Sequence, residues 1–398
     1  MRLTRGPFLR LWIAQAVSLF GDFVAAFAVQ VAVVFRMHGS ARDATGVLLA
    51  SLAPSIILGP VVGVFADRWD PRRTMIVSDL ARGVLILPLA LVTNLPQLYA
   101  LCFCISCFSI FFTPAQSIAI PLLVKREDLL AASARMQQTM QLARIVSPAA
   151  AGALAAGLGE SACYFTDSLS FFVSAALLAT LTYSRPAPAQ PRRAYAIGTE
   201  LMQGLRFLFT SPKLSFVTLS WATGTFAAGC FGALASLYVR DVLHAHASVL
   251  GMIGSMIGLG TLAGSAVVTR LARGREAARG RALAPLIGVG MLVVGSAILL
   301  LAMFPSRIAA LAGAAGIGLG VAIVMVAATA MLQGETPAEM RGRVTSGSAS
   351  VMSISYGGAI IASGGWAAHV GVLPVFFLSA TLLFITGLCG IWRCRRAE

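Results

Sequence analysis

The chain has 398 residues, of which 58% are hydrophobic and only 11% charged, yet its formal net charge is +15. Its mean hydropathy is +0.85. A water-soluble fold of this size needs far more charge on its surface, so a soluble enzyme or a soluble nucleic-acid-binding domain is excluded.

In chain order, residues 11–35, 45–66, 74–93, 97–124, 136–158, 162–183, 214–239, 247–269, 282–304, 307–332, 345–367 and 370–392 form twelve apolar runs. As helices, runs of about twenty apolar residues cross the hydrocarbon layer. Arg144 makes the fifth the weakest. The segment before the first run is short and basic, and no small-residue cleavage site follows that run, so it is expected to stay as a span. The expected fold is an all-α polytopic membrane protein with twelve transmembrane helices in two pseudo-symmetric six-helix bundles.

The positive charge is distributed by side. With the N-terminus inside, 24 of the 30 Lys and Arg fall in inside segments. This bias places both termini in the cytoplasm, which for a bacterial chain means the inner membrane. The basic surplus is thus topological: the expected partners are the lipid bilayer and its anionic headgroups, and no nucleic acid is expected. Cys102, Cys104 and Cys107 point in different directions around one helix, so no metal site is expected from them. Nor is any cofactor expected.

After the sixth run the composition changes. SRPAPAQPRRAYAIGTE, from Ser184 to Glu200, reads as a linker, and LMQGLRFLFTSPKL after it has apolar residues at helical spacing. The expected domains are 1–184, an N-terminal six-helix bundle; 185–212, a cytoplasmic linker with an amphipathic segment; and 213–398, a C-terminal six-helix bundle.

Between the second and third runs lies GVFADRWDPRR, a knot of charge in an apolar chain. Gly63, Asp67, Arg68, Arg72 and Arg73 in that position resemble the signature loop of the major facilitator superfamily. Asp70-Pro71 departs from the usual loop and is similar to one branch, which includes the macrolide and enterobactin exporters. FLRLWIAQAVSLFGD, FFTPAQSIAIPLLVKREDLLAASA and EMRGRV resemble the same branch. The resemblance implies a cytoplasmic gate at Gly63, Asp67, Arg68, Asp70, Arg72 and Arg73, latching the two bundles when the cavity opens outward. It also implies a monomer.

Ionisable groups inside spans cost about 2.5–3.5 kcal/mol each on insertion scales and need a reason. Asp22, Asp79, Arg82, Arg144 and Asp167 are the candidates for coupling or substrate binding. Asp79 and Arg82, three apart, share a helix face and are expected to pair. Asp22 has no nearby partner in sequence and is the candidate for proton coupling or for holding a cationic part of a substrate. Ser147, Pro148 and Gly152 resemble a degraded form of the span-five motif of superfamily antiporters, expected to bend and pack the helix. The arginine often seen in span four of the superfamily is absent. Glycines at 251–264 and 313–320 are read as helix-packing faces. All four histidines fall in expected external loops.

The chain therefore reads as a secondary active transporter, expelling an amphipathic small molecule such as a drug or siderophore by alternating access, with protons as coupling ion. No GxxxxGK[ST] loop offers ATP-driven work. The alternatives are uptake, lipid flipping, or a membrane-embedded Mg-dependent transferase. For the last, the arginines around Asp67 and Asp70 would compete with a metal for the carboxylates.

Overall fold

Apolar runs in lipid must satisfy their backbone groups internally, which selects helices. The structure, a computed structural model, describes residues 6–66, 69–182, 194–273, 279–337 and 340–396. Among them are thirteen α-helices and no strand: α1 (Pro7–Val31), α2 (Ala41–Ala66), α3 (Pro71–Ile86), α4 (Leu95–Leu123), α5 (Leu129–Leu158), α6 (Glu160–Ala179), α7 (Ala194–Thr210), α8 (Pro212–Leu237), α9 (Ala247–Arg273), α10 (Arg279–Met303), α11 (Arg307–Glu335), α12 (Arg341–Val370) and α13 (Val372–Arg396). Prolines open α1, α3, α4 and α8, where a missing N–H costs nothing. Asn94 and Ser306 cap α4 and α11 by accepting from Gln97 N–H at 3.0 Å and Ala309 N–H at 3.2 Å.

Ten helices among the described residues are long and apolar enough to cross a membrane. α5 and α12 have the length, 30 residues each, but are less apolar. α5 carries Arg135, Arg144 and several glutamines, and α12 is rich in Ser and Gly. The remaining helix, α7, is a 17-residue segment with Leu208 fully buried.

A structural repeat is present at the ends of α1 and α8. α1 runs into a π-helical turn at Ala32–Arg36, and α8 into another at Tyr238–Val242. Each turn is followed by a histidine in the left-handed region, His38 at φ 50° and His244 at φ 47°. Gly39 N–H then donates to Val33 O, and Ala245 N–H to Val239 O. Every pair is 206 positions apart. These two histidines form the turn that ends each helix.

The chain divides into two compact units, residues 1–191 with 246–255, and residues 192–245 with 256–398. In the first, α1 packs on α5 and α6, α3 on α4 and α6, and α2 on α4. Its inner core joins Leu11, Ala14, Met75, Phe112, Ala115, Ala119, Leu178 and Leu181. In the same unit Gly251 lies on α5: a Cβ there would stand 2.7 Å from Pro148 O and 3.1 Å from Gly152 Cα. In the second unit α10 packs on α11 and α13, and α8 on α12, α13 and α11. Tyr238 and Phe231 flank Phe376 with ring centroids 5.5 and 5.4 Å apart, and the Tyr238 hydroxyl donates to Leu301 O at 2.9 Å. Gly260 and Gly318 bring α9 and α11 into backbone contact, where a Cβ would overlap Ala315 O or Ile257 O. Small residues drive such close crossings because lipid offers no hydrophobic force between helices.

Candidate functional site

The expected pair of Asp79 and Arg82 is present, and it sits inside a larger cluster. Both lie on the buried face of α3, Asp79 0% and Arg82 3% exposed. The Arg82 guanidinium bonds Asp79 Oδ1 through one nitrogen. Its other nitrogen stands 3.3 Å from Asp22 Oδ2 on α1 and donates to Ser109 Oγ on α4, also at 3.3 Å. Two rings hold the guanidinium plane, Phe171 of α6 at 4.2 Å and Phe112 of α4 at 5.1 Å. Cation–π contact of this kind is strongest where water is excluded.

Asp167 of α6 joins from the far side. It is 1% exposed, and its Oδ1 accepts from the Ser170 hydroxyl at 3.1 Å. Gly21 allows this approach, since a Cβ there would run into Ser170 and Asp167. The second oxygens of Asp79 and Asp167 are buried without a hydrogen-bond partner among the described residues, with Ser174 beside Asp79. Asp22 differs from both, its side chain 37% exposed. Two carboxyl groups thus share one guanidinium within a single unit, Asp79 sealed and Asp22 partly exposed, with the sealed Asp167 close by on Ser170.

The charged loop is anchored locally. Asp70 caps α3, its Oδ1 accepting from Arg73 N–H at 2.9 Å, with Pro71 as first helical residue. Arg72 donates to Ala179 O, and Arg10 to Thr180 O at 2.8 Å, so two cations meet the carbonyl end of α6. Gly63 lies in α2, and Asp67 and Arg68 lie outside the described residues. Arg144 is exposed, its guanidinium 5.9 Å from the ring centroid of Phe23, next to Asp22. Ser147 is buried, Pro148 lies within α5, and Gly152 packs on Gly251. No group of three or more metal-ligating side chains occurs among the described residues.

Some participants were not singled out from sequence: Arg10, Ser109, Phe112, Ser170, Phe171 and Ser174. A signal existed for α6. Asp167, Ser170 and Ser174 recur at helical spacing along one face, a polar stripe with Phe171 beside it.

A cluster of buried ions within a helical unit, beside a charged loop between two apolar helices, accords with the family model that matches residues 11–356, described as Major Facilitator Superfamily. The chain belongs to the Major Facilitator Superfamily. It is a multi-pass membrane transporter and not an enzyme. Macrolide efflux protein A of Streptococcus pyogenes is 26% identical over 386 residues, covering 94% of this chain and 93% of that protein. Enterobactin exporter EntS of Salmonella typhi is 28% identical over 354 residues, covering 86% and 81%. The uncharacterised transporter YfiS of Bacillus subtilis (strain 168) is 29% identical over 273 residues, and that match spans 66% of this chain and 63% of YfiS. Among solved structures, peptide transporter POT superposes with a TM-score of 0.77 at 12% identity, covering 98% of this chain and 96% of its own. A bacterial homologue of the lysosomal transporter Spinster gives 0.74 at 12%, covering 97% and 96%.

Proposed function

We propose that this transporter is an exporter of amphipathic small molecules, driven by protons moving inward through the bacterial cytoplasmic membrane, with both termini inside. The carrying observation is the ratio of three carboxyls to one guanidinium in the core of the first unit. Fully ionised, that group would hold two uncompensated negative charges, and buried excess charge is neutralised by a bound proton or cation. Asp22, the reachable member, exchanges the proton with solvent or yields its place to a cationic part of the substrate. Asp79 and Asp167 sense that exchange through Arg82, whose guanidinium shifts toward whichever carboxylate is charged. Competition of proton and substrate for one group is what couples their movements.

Export rather than uptake is favoured by the names of the two efflux relatives, and a macrolide or a siderophore such as enterobactin is the first compound to test. α5 and α12 complete twelve spans, and the two units rock in alternating access. The loop at Gly63, Asp67, Arg68, Asp70, Arg72 and Arg73 serves as the cytoplasmic gate. The bonds of Arg72 and Asp70 to their own unit hold that loop in shape.

The test is accumulation of a labelled macrolide or enterobactin by inside-out vesicles under an imposed pH gradient. Uptake that collapses with the gradient, and in Asp22→Asn, supports the reading. Uptake that ignores the gradient removes proton coupling.

A further inference from the structure

The polar side chains of α6 divide by face. Off the Asp167 line, the hydroxyls of Thr166 and Ser168 donate to Ala162 O and Gly83 O, each at 2.8 Å. On that line, Glu160, Tyr164 and Asp167 each bury an oxygen without a hydrogen-bond partner among the described residues: Oε2, the phenol oxygen and Oδ2. Spacings of four and three residues put the three side chains on one face, with about 5–6 Å between successive Cβ atoms. Seven residues beyond Asp167 the buried Ser174 hydroxyl lies beside Asp79, whose Oδ2 is unpartnered as well. A buried oxygen without a partner is costly, and a polar gap of this width is where buried water bonds to both sides. The outer end of the line is reachable. Glu160 is the first residue of α6, its Oε1 accepting from Arg36 Nη1 at 2.9 Å, while Arg36 also donates to Val92 O at 3.1 Å. Both side chains line a groove of about 560 Å³ in the first unit, together with the exposed His246.

We propose that water threads this face of α6 from the groove to Asp167, so that protons reach the sealed carboxyls Asp167 and Asp79 by a route separate from Asp22. Resting on the coupling reading proposed above, this route supplies its outer half, since the groove faces the exterior when both termini are inside. Arg36 occupies one oxygen of Glu160, and the other oxygen takes the proton at the mouth. The Tyr164 hydroxyl accepts a proton from the water on its outer side and donates its own to the water on its inner side. A hydroxyl has both a donor hydrogen and acceptor lone pairs, so it relays a proton without a net change of charge. Asp167 receives it, and Asp22, with its side chain 37% exposed, is the second opening of the same cluster.

The experiment compares two tyrosines of the full chain in nanodiscs, without substrate or gradient. Both are 0% exposed, but the Tyr238 hydroxyl is bound to Leu301 O at 2.9 Å, whereas that of Tyr164 is unpartnered. X-ray pulses turn bound water into hydroxyl radicals that mark the adjoining ring, read by mass spectrometry in oxygen-18 water. Labelling of Tyr164 at about tenfold the rate of Tyr238 is expected. The second arm uses Asp22→Asn, in which Asp79 and Asp167 still outnumber Arg82 and hold one proton. Its carboxylic-acid infrared band should exchange in heavy water about tenfold more slowly once Tyr164→Phe is added. Labelling of Tyr164 at the Tyr238 rate would mean a dry face and overturn the route, leaving the coupling reading in place. Exchange that is unchanged by Tyr164→Phe would do the same. An Asp22→Asn protein with no acid band at all would overturn the coupling reading itself and the route with it, even if Tyr164 is labelled.

Discussion

Replacing Arg82 by methionine keeps a long apolar side chain and removes the charge that holds three helices together. Asp79 would then be a carboxylate at 0% exposure with no counter-ion. Breaking a buried pair from one side costs about 3–5 kcal/mol, because the other charge is stranded. The Asp22 share is smaller, since its contact is longer at 3.3 Å and its side chain is 37% exposed. Loss of the two ring contacts, at 4.2 and 5.1 Å, adds about 1 kcal/mol each. The second substitution, Asp79→Asn, removes the stranded charge. Arg82→Met with Asp79→Asn is therefore expected to lose little beyond the ring contacts, about 2 kcal/mol, and to be more stable than Arg82→Met alone. The assay is reversible unfolding in mixed micelles of the four proteins of the cycle, with Asp79→Asn as the fourth. A coupling of about 2 kcal/mol or more is the expected result. Additive losses, within about 0.5 kcal/mol, would refute the argument, because the two side chains would then act independently.

Asp22→Asn should separate function from stability. Asn keeps a hydrogen-bonding side chain at a contact already 3.3 Å long, so unfolding is expected to change less than in Arg82→Met while gradient-driven transport is lost. Gly318→Ala should destabilise by about 1–3 kcal/mol, since a Cβ there meets Ile257 O, whereas Gly358→Ala has open space and should gain up to about 1 kcal/mol of helix propensity. Unfolding of both variants side by side checks this, and equal effects would mean α9 and α11 do not touch there. Asp70→Ala should cost about 1 kcal/mol through the lost cap, and Asp70→Ser should restore stability without restoring transport if the loop acts through its charge.

Much of the helical plan was legible in the sequence because lipid leaves the backbone few choices. Apolar runs of about twenty residues had to be helices. Legibility weakened where composition did. Arg144 thinned the signal of α5, and serines and glycines thinned that of α12, although each helix is 30 residues long. The pair of Asp79 and Arg82 was legible because three residues on one helix are neighbours whatever the tertiary fold. Asp22 meeting the same guanidinium, with Asp167 close by, was not, since that depends on how α1 and α6 pack on α3. Gly21 was the clue, a small residue beside an acid, but its meaning needs the helix that faces it. Likewise, Arg72 was visible only as part of the charged loop, and the packed structure shows that it donates to Ala179 O at the end of α6.

The most direct test of the central claim is infrared difference spectroscopy of the reconstituted protein as buffer moves from alkaline to mildly acid. The account predicts a carboxylic-acid C=O band that shifts in heavy water, grows on acidification and is reduced in Asp22→Asn, the signature of a proton exchanged by the cluster. A spectrum without such a band, with all three carboxylates ionised throughout, would contradict it.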